Sequence, residues 1–469
     1  MAILSRKSWI LLSIGLVLVL GWIGYRWIFS TEPADTRFSG AYRFEDGHLG
    51  FVAPREGKSL RYRAMNGASR ALWPVGDTVF ESGPGWSERE PVEVTVEFDL
   101  DAARDRPTAL VWRATEGSTQ EATRLDLPEV FTTFPSGDLT LRGKLVLPLG
   151  EPPFPAIVFV HGSERYSAVD YYFLPYLFAA HGIAAFVYDK RGTGESTGKY
   201  NQNFYALSDD TVAAVDWLRQ RPEIDADNIH LGGYSQGGWI APLAATKTDG
   251  IKSLLIAYGP MVPVTGEDRW GYVWALREKG FGDEAIAKAD AINNIAGAIM
   301  DNGEDRWSEL GEALDGARGQ DWFEALAGSD GVVGFLAGTK MPLWVIRCIA
   351  WWMTRGDEPF IDRLYDPVPT VASLDIPSLW IFGEDDSSMP TQWSVDELEK
   401  LRATGRPIEY EIYPHAEHGI LLTEEGKNGE RTPIGYAPGY FKQQVDWVRE
   451  QSGLPSTETV TVEFSASNW

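Results

Sequence analysis

The sequence predicts an α/β fold in which a mainly parallel sheet carries helices on both faces. Apolar runs of strand length alternate with amphipathic stretches of helical spacing, such as 209–221, 391–404 and 440–451. Strands of a parallel sheet are buried on both faces, so they read as continuous apolar runs separated by helices. The runs that fit this description span 139–148, 156–160, 183–188, 228–231, 253–257, 378–382 and 408–413.

The residues before this alternation predict a small antiparallel β domain over 37–134. Period-two runs such as 91–98 and 108–112 indicate strands with one buried face. Turn signals, including Asp46-Gly47 and the Ser-Gly-Pro-Gly of 82–85, separate these runs.

A long insertion interrupts the second half of the alternation. Residues 262–370 separate two predicted strands by roughly a hundred residues, far more than an ordinary connection. Helical spacing over 274–299 and 307–327 predicts a helical cap. The apolar, aromatic stretch 341–353 is too short to span a bilayer, so we expect a buried cap helix there. An acyl-pocket wall or a membrane-touching lid remains the alternative.

Residues 233–237 spell Gly-Tyr-Ser-Gln-Gly, a G-x-S-x-G pattern between an apolar run at 228–232 and an apolar helical run at 238–245. Strand, tight turn and helix form the context in which this pattern exposes a serine nucleophile. Glycines at both ends suit a turn too tight for a Cβ atom. Ser235 is therefore the candidate nucleophile, at a helix N-terminus whose N–H groups can stabilise an anion.

The chain also supplies an acid and a histidine after Ser235, in the order that one class of serine hydrolase uses. Of the six histidines, His415 and His418 are the two that follow the serine. We favour His418 over His415 because Gly419 lets the loop turn the ring back toward the serine. The candidate acids cluster after the apolar run 378–382, and they are Glu384, Asp385 and Asp386.

From about residue 135 to 451, the chain carrying these motifs resembles an α/β-hydrolase, in the branch that holds bacterial serine esterases and dienelactone-hydrolase-like proteins. The motifs are specific for the fold and weakly specific for the substrate, because this fold hosts many chemistries. The matching segments are Phe159-Val-His-Gly-Ser163, Tyr188-Asp-Lys-Arg-Gly-Thr-Gly-Glu-Ser196, Gly233-Tyr-Ser-Gln-Gly237, 383–390 and His418-Gly419.

The resemblance implies roles for the residues around the serine. The His-Gly-Ser turn after the 156–160 strand would give one oxyanion-hole N–H, from Ser163. The residue after the nucleophile, Gln236, would give the other. His161 is then expected to orient the turn rather than to carry a proton. The loop that contains Asp189 and Arg191 is expected to be structural.

The resemblance also implies a reaction. Asp386, in the acid position of G-x-x-D-x-x-Met-Pro, would hold the His418 tautomer and complete a Ser-His-Asp triad with Ser235. The expected function is a serine esterase that cleaves a small-molecule carboxylic ester through an acyl-enzyme, with no cofactor and no metal. Acyl-CoA thioesterase or acyltransferase-like and prolyl-peptidase-like activities are the alternatives. A non-catalytic, surface-tethered binding module is a further one.

The N-terminal residues predict a membrane segment. Arg6 and Lys7 precede an almost wholly apolar stretch over 8–25, and Trp22 and Trp27 suit an interfacial aromatic belt. We expect an uncleaved signal anchor over 1–30, or else a cleaved signal peptide. The predicted localisation is a membrane-anchored protein with its catalytic domain outside the cytoplasm. That location argues against coenzyme A thioesters, because coenzyme A is cytoplasmic.

Composition limits the remaining possibilities. A net charge of −25 disfavours nucleic acid as a partner. The single cysteine, Cys348, excludes an intramolecular disulfide and cysteine-rich metal sites. We expect the hydrolase domain to span 135–454. The tail 455–469 repeats at 460–464 the Val-Thr-Val-Glu-Phe of 94–98, which makes it a candidate extra strand. Oligomeric state stays open.

Overall fold

The computed structural model describes residues 35–55, 57–329, 331–353, 362–426 and 431–457. Residues 1–30 of the predicted anchor, and most of the predicted C-terminal tail, lie outside these ranges.

In the described part of the chain, eight strands near the N-terminus form a closed antiparallel barrel. Consecutive strands pair as neighbours, and the eighth strand pairs back onto the first. This barrel confirms the predicted antiparallel β domain. Its strands are β1 (Gly40–Phe44), β2 (Leu49–Pro54), β3 (Leu60–Ala64), β4 (Ser69–Pro74), β5 (Val79–Ser82), β6 (Val94–Asp101), β7 (Arg106–Ala114) and β8 (Thr119–Arg124).

The barrel interior is filled by aromatic and β-branched side chains. Along β6, buried Val94, Val96 and Phe98 alternate with more exposed residues, as the period-two pattern requires. Phe38, from a short 3-10 turn, enters this interior with its ring centroid 4.7 Å from that of Phe98 and 5.1 Å from that of Phe80. The barrel is therefore a packed core.

The second sheet carries the predicted parallel strands. From β11 to β16 the strands are mutually parallel, and β9 and β10 add an antiparallel edge in the order β16-β15-β14-β13-β11-β12-β10-β9. The predicted domain boundary at residue 134 falls within β9. The strands are β9 (Glu129–Ser136), β10 (Leu139–Val146), β11 (Phe154–Val160), β12 (Ala184–Tyr188), β13 (Ile224–Tyr234), β14 (Ile251–Ala257), β15 (Ser378–Gly383) and β16 (Ile408–Tyr413).

The strand order reverses at β11, whose neighbours are β12 on one side and β13 on the other. The loops after β11 and β13 therefore lie at a topological switch point, where α/β sheets form their binding crevices beyond the carboxyl ends of the strands. The predicted oxyanion turn follows β11, and Ser235 follows β13. The sheet thus brings these two segments to one place.

Helices cover both faces of this sheet and bury its apolar runs. One face packs against α3, α4 and α12, and the other against α2, α13 and the first two barrel strands. The helices are α1 (Ala168–Tyr171), α2 (Leu174–Ala179), α3 (Phe204–Arg219), α4 (Gly237–Ala245), α12 (Thr391–Ala403) and α13 (Tyr440–Gln451). This arrangement confirms the predicted fold class.

The insertion between β14 and β15 is the predicted helical cap, and it has a hydrophobic core of its own. Its last long helix covers the stretch expected to be a buried cap helix. That expectation is wrong for two of the tryptophans, because Trp344 and Trp351 are 69% and 57% exposed. The insertion contains α5 (Val264–Glu278), α6 (Asp283–Asn302), α7 (Trp307–Ala317), α8 (Asp321–Glu324), α9 (Gly331–Gly338), α10 (Leu343–Met353) and α11 (Pro367–Ser373).

A small sheet after β16 joins the barrel to the hydrolase core. Its strands are β17 (Ala416–Glu417), β18 (Leu421–Glu425) and β19 (Arg431–Tyr436). At the end of β19, the Tyr436 N–H donates to the Gly67 carbonyl in the β3–β4 hairpin at 2.8 Å. Gly67 has φ +98, and a Cβ there would lie 2.2 Å from the Tyr436 carbonyl oxygen. The close approach of the two units therefore needs glycine at this position.

The described residues do not support the expected membrane-anchored, extracytoplasmic localisation. Across the described ranges, no helix combines the length and the apolar character needed to cross a membrane. The segment 1–30, on which the anchor is predicted, lies outside those ranges. The membrane partner is therefore unsupported, and the argument from location against coenzyme A thioesters no longer holds.

Replacing Gly67 by Ala should destabilise the protein by about 1–3 kcal/mol more than replacing Gly117 by Ala. Both glycines end the same kind of barrel hairpin turn, with φ near +98 and +100, so both lose their left-handed freedom equally. A Cβ at Gly117 meets no atom within 4 Å, whereas at Gly67 it meets Tyr436. Thermal and urea unfolding of the two variants measures the difference, and equal losses would contradict the predicted clash.

Candidate active site

Ser235 occupies the sharp turn between β13 and α4. Its φ is +52, an unusual value for a residue with a side chain. Its N–H donates to the Ala257 carbonyl at 3.1 Å, and its carbonyl accepts from the Gly238 N–H at 2.7 Å. These bonds hold the strained conformation and turn the side chain out of the sheet.

The glycines around Ser235 make the turn possible. A Cβ at Gly233 would lie 2.4 Å from the Gly237 carbonyl oxygen, and a Cβ at Gly237 would lie 2.1 Å from the carbonyl oxygen of Val160. No side chain fits at either position without moving backbone. The G-x-S-x-G spacing is therefore a steric requirement of this turn.

His418 lies beside Ser235, in the loop that follows β17. Its Nε2 lies 3.0 Å from the Ser235 hydroxyl oxygen, and its Nδ1–H donates to Asp386 Oδ2 across 2.9 Å. The competing histidine, His415, is 85% exposed at its side chain and faces Asp385 at 3.8 Å instead. The structure thus brings Ser235, His418 and Asp386 into one hydrogen-bonded chain.

Asp386 is the member of the acidic cluster that reaches the histidine. Its carboxyl group is fully buried, and its Oδ1 accepts from the N–H groups of Ser388 and Met389, each at 2.9 Å. Trp270, from the cap helix α5, donates its indole N–H to the Asp386 carbonyl at 3.0 Å. Glu384 instead accepts from the His415 N–H at 3.2 Å.

The carboxylates near His418 favour its charged form. Burial opposes a charge on the ring, but Asp386 outweighs this effect, with help from Glu267 and Glu164, and raises the pKa of His418 to about 9. The same charges would stabilise an imidazolium that forms when the ring takes a proton from Ser235. His418 is thereby a stronger base than an ordinary histidine.

The predicted oxyanion turn lies directly against Ser235. A Cβ at Gly162 would be 3.2 Å from the Ser235 Cβ, which places the turn in contact with the serine. Among the backbone bonds of the described residues, neither the Ser163 N–H nor the Gln236 N–H has a partner. Both N–H groups are therefore without a backbone acceptor, as the donors of an oxyanion hole must be.

Glu164, which sequence reasoning did not single out, sits at the end of this turn. Its carboxylate accepts from the Tyr172 hydroxyl at 2.9 Å. Burial alone would raise its pKa, but the hydrogen bond from His161 and the charge of Lys190 lower the pKa of Glu164 to about 2. Burial and Lys190 lower the pKa of His161 itself. The turn therefore holds a carboxylate that is ionised across the physiological range.

A cleft of about 490 Å³ opens beside His418, between α5 and the small sheet. Arg431, which sequence reasoning also missed, crosses one wall of it. Its guanidinium pairs with Glu278 of α5 at 3.1 Å and with Glu417, which accepts from the Ser387 N–H at 3.0 Å. One side chain thus links the cap, the histidine loop and the acid loop around the cleft.

The pKa of His418 provides a test that needs no substrate. In an NMR titration, we expect the ring resonances of His418 to show an inflection near pH 9. Asp386→Asn removes the main charge that favours the imidazolium, so the inflection should move to lower pH. A His415→Gln variant assigns the signals. An inflection of His418 at or below about pH 6.5, the value of an ordinary histidine, would contradict this electrostatic account.

The sequence was also compared with known proteins. A family model described as "Alpha/beta hydrolase family" matches residues 157–427. The chain is 36% identical over 129 residues to "Thiohydrolase aneE" of Aspergillus aculeatus, covering 27% of this chain and 40% of that protein. It is 28% identical over 212 residues to "Esterase EstD" of Thermotoga maritima, covering 40% and 50% respectively. The chain thus spans half or less of the length of these relatives.

Solved structures with similar folds include Est1E from Butyrivibrio proteoclasticus, with a TM-score of 0.41, 14% identity and coverage of 69% of this chain and 99% of that one. The family match, in contrast, extends from β11 to beyond the histidine loop and covers more than half of the sequence. The protein therefore belongs to the α/β-hydrolase family.

Proposed function

We propose that the protein is a serine hydrolase that cleaves carboxylic esters through an acyl-enzyme on Ser235. The observation that carries the proposal is the continuous chain of hydrogen bonds from the Ser235 hydroxyl through His418 to buried Asp386. A nucleophile, a base and a group that orients the base are the parts that acyl transfer needs.

The geometry supports the following reaction. His418 Nε2 takes the hydroxyl proton as Ser235 Oγ attacks the ester carbonyl carbon. The negative charge that develops on the carbonyl oxygen is stabilised by the N–H groups of Ser163 and Gln236. His418 then gives its proton to the leaving alcohol, and the C–O bond breaks. Water, deprotonated by His418, attacks the acyl-enzyme and releases the acid.

Asp386 acts through His418 in this scheme. Its hydrogen bond keeps the proton on Nδ1, which leaves Nε2 free to accept from the serine. The raised pKa of His418 also means that, near neutral pH, most of the free enzyme holds a protonated ring. The rate under limiting substrate should therefore rise with pH toward 9, because deprotonation produces the active base.

Thioester hydrolysis is the second candidate, and the similarity to "Thiohydrolase aneE" favours it. The same triad serves an ester or a thioester, because both release a good leaving group to an attacking serine. The similarity to human "Dipeptidyl peptidase 8", 24% identical over 212 residues and covering 22% of that protein, keeps a peptide amide as a third test substrate. A prolyl-peptidase-like enzyme normally carries a propeller. The N-terminal domain here is a closed barrel, which argues against that alternative.

Ser235→Ala should lower the hydrolysis of a short-chain nitrophenyl ester at pH 8.5 by at least about 10³-fold, because it removes the nucleophile. The measurement compares nitrophenyl esters of increasing chain length, an acyl thioester and a peptide nitroanilide. Ser163→Ala serves as the control, because the proposed donor at that position is the backbone N–H, which alanine keeps. Full ester turnover by Ser235→Ala would contradict the proposal.

A further inference from the structure

One matching segment has no part in the reaction above, namely Tyr188-Asp-Lys-Arg-Gly-Thr-Gly-Glu-Ser196. It nevertheless places a buried lysine, Lys190, next to the residues around Ser235. Lys190 is 1% exposed and follows β12, the neighbour of β11 in the sheet. Its Nζ donates to the Gly162 carbonyl at 2.7 Å and to Gln236 Oε1 at 2.9 Å. One amine therefore bridges the two segments that carry the proposed oxyanion donors.

The bond to Gly162 has a direct consequence for Ser163. The Gly162 carbonyl and the Ser163 N–H belong to the same peptide unit, which is planar and trans. In such a unit the C=O and N–H bonds point in opposite directions. A donor fixed on the Gly162 oxygen therefore aims the Ser163 N–H away from Lys190, and it polarises that N–H for its own hydrogen bond.

A second donor fixes the next peptide of the same turn. The Tyr200 hydroxyl donates to the Ser163 carbonyl at 2.6 Å, and Gln202 Nε2 donates to the Tyr200 hydroxyl at 3.0 Å. The backbone of Tyr200 packs against Gly192 of the same segment. The contact is so close that a Cβ at Gly192 would lie 2.1 Å from the Tyr200 backbone nitrogen. Both peptides that flank the Ser163 α-carbon are thus held by side chains of the 188–202 region.

We propose that Lys190 is a positioning residue for the oxyanion hole, holding the Gly162–Ser163 peptide and the Gln236 side chain in register, with Tyr200 as its second support. The inference rests on the proposed function and extends it to residues that touch neither the substrate nor the triad. In this role Lys190 stabilises the transition state through the backbone it orients.

The environment of Lys190 is consistent with this role. Burial lowers its pKa to about 7, against the opposing influence of the Glu164 and Asp210 carboxylates. Burying an amine costs free energy that an apolar side chain of similar size would not. A neutral amine still offers two N–H groups, so both hydrogen bonds persist on either side of that pKa. The support therefore needs the donors and not the charge.

The first test replaces Lys190 by Met, which keeps an unbranched side chain only one atom shorter and removes both hydrogen bonds. With nitrophenyl acetate we expect kcat to fall roughly 10- to 100-fold, less than the ~10²–10³-fold loss on removing an oxyanion donor, while KM changes by less than about 2-fold. The inhibition constant of a short-chain trifluoromethyl ketone, whose adduct with serine carries an oxyanion, should rise by the same factor as kcat falls.

Lys144→Met is the matched control. Lys144 is likewise 2% exposed and donates to a backbone carbonyl, that of Val169, away from the oxyanion turn. This variant should change the melting temperature and leave kcat and the ketone constant as they are. If Lys144→Met lowered kcat and weakened the ketone as much as Lys190→Met, the effect would come from losing any buried lysine. That result would overturn the assignment of Lys190.

If Lys190→Met does not fold, Tyr200→Phe tests the same inference. This variant should fold, because it removes one hydroxyl from a partly exposed side chain. It should lower kcat several-fold at constant KM. A folded Lys190→Met with wild-type kcat and ketone affinity would overturn the inference. So would wild-type kinetics for Tyr200→Phe, if Lys190→Met cannot be made. Ser235→Ala, assayed alongside, distinguishes a failure of the proposed function from a failure of this inference. Activity retained by Ser235→Ala would refute the proposed function. If Ser235→Ala is inactive, a negative result for the other variants refutes only the role of Lys190 and Tyr200.

Discussion

The strained turn at Ser235 is the constraint on which the rest of the site depends. A serine at φ +52 persists because backbone bonds on both sides hold it and because glycines leave room for close backbone contacts. This turn exposes the hydroxyl at the carboxyl end of β13, next to the turn after β11. His418 and Asp386 line up with that hydroxyl, and the turn with the proposed oxyanion donors packs against it.

The barrel and the cap both contact the histidine side of the site. The barrel reaches it through Gly67, which hydrogen-bonds Tyr436 at the end of β19. The cap reaches it through Trp270, which holds the acid loop, and through Glu278, which pairs with Arg431. The cap therefore contacts the acid loop directly and the histidine loop through Arg431, whereas the barrel contacts the small sheet that follows the histidine loop.

Much of the fold and of the candidate site could be predicted from the sequence, because local patterns encode them. Continuous apolar runs identified the parallel strands, and turn glycines identified the serine elbow. The order of serine, acid and histidine along the chain limited the candidates, and the resemblance to the α/β-hydrolase acid loop selected Asp386. The structure brings Ser235, Asp386 and His418 within hydrogen-bond distance of one another. Gly419 proved a useful guide in choosing between the two histidines, since His415 faces away. Their catalytic role stays a prediction.

Other parts could not be predicted because they depend on contacts between distant segments. A lysine that becomes fully buried, such as Lys190, reads in the sequence as an ordinary surface charge. Arg431 links the cap helix α5, the histidine loop and the acid loop, which are neighbours only in the folded chain. The exposed tryptophans of α10 show that apolar composition alone does not establish burial. The membrane anchor likewise rested on composition and is unsupported by the structure.

Trapping the acyl-enzyme tests the central claim most directly. The protein would be mixed with nitrophenyl acetate, quenched in acid within the first turnover, and digested for mass spectrometry. The account predicts an acetyl adduct on the peptide that contains Ser235, localised to that residue and lost on longer incubation as water releases the acid. Steady turnover with no adduct on Ser235, or with an adduct on another residue, would contradict it.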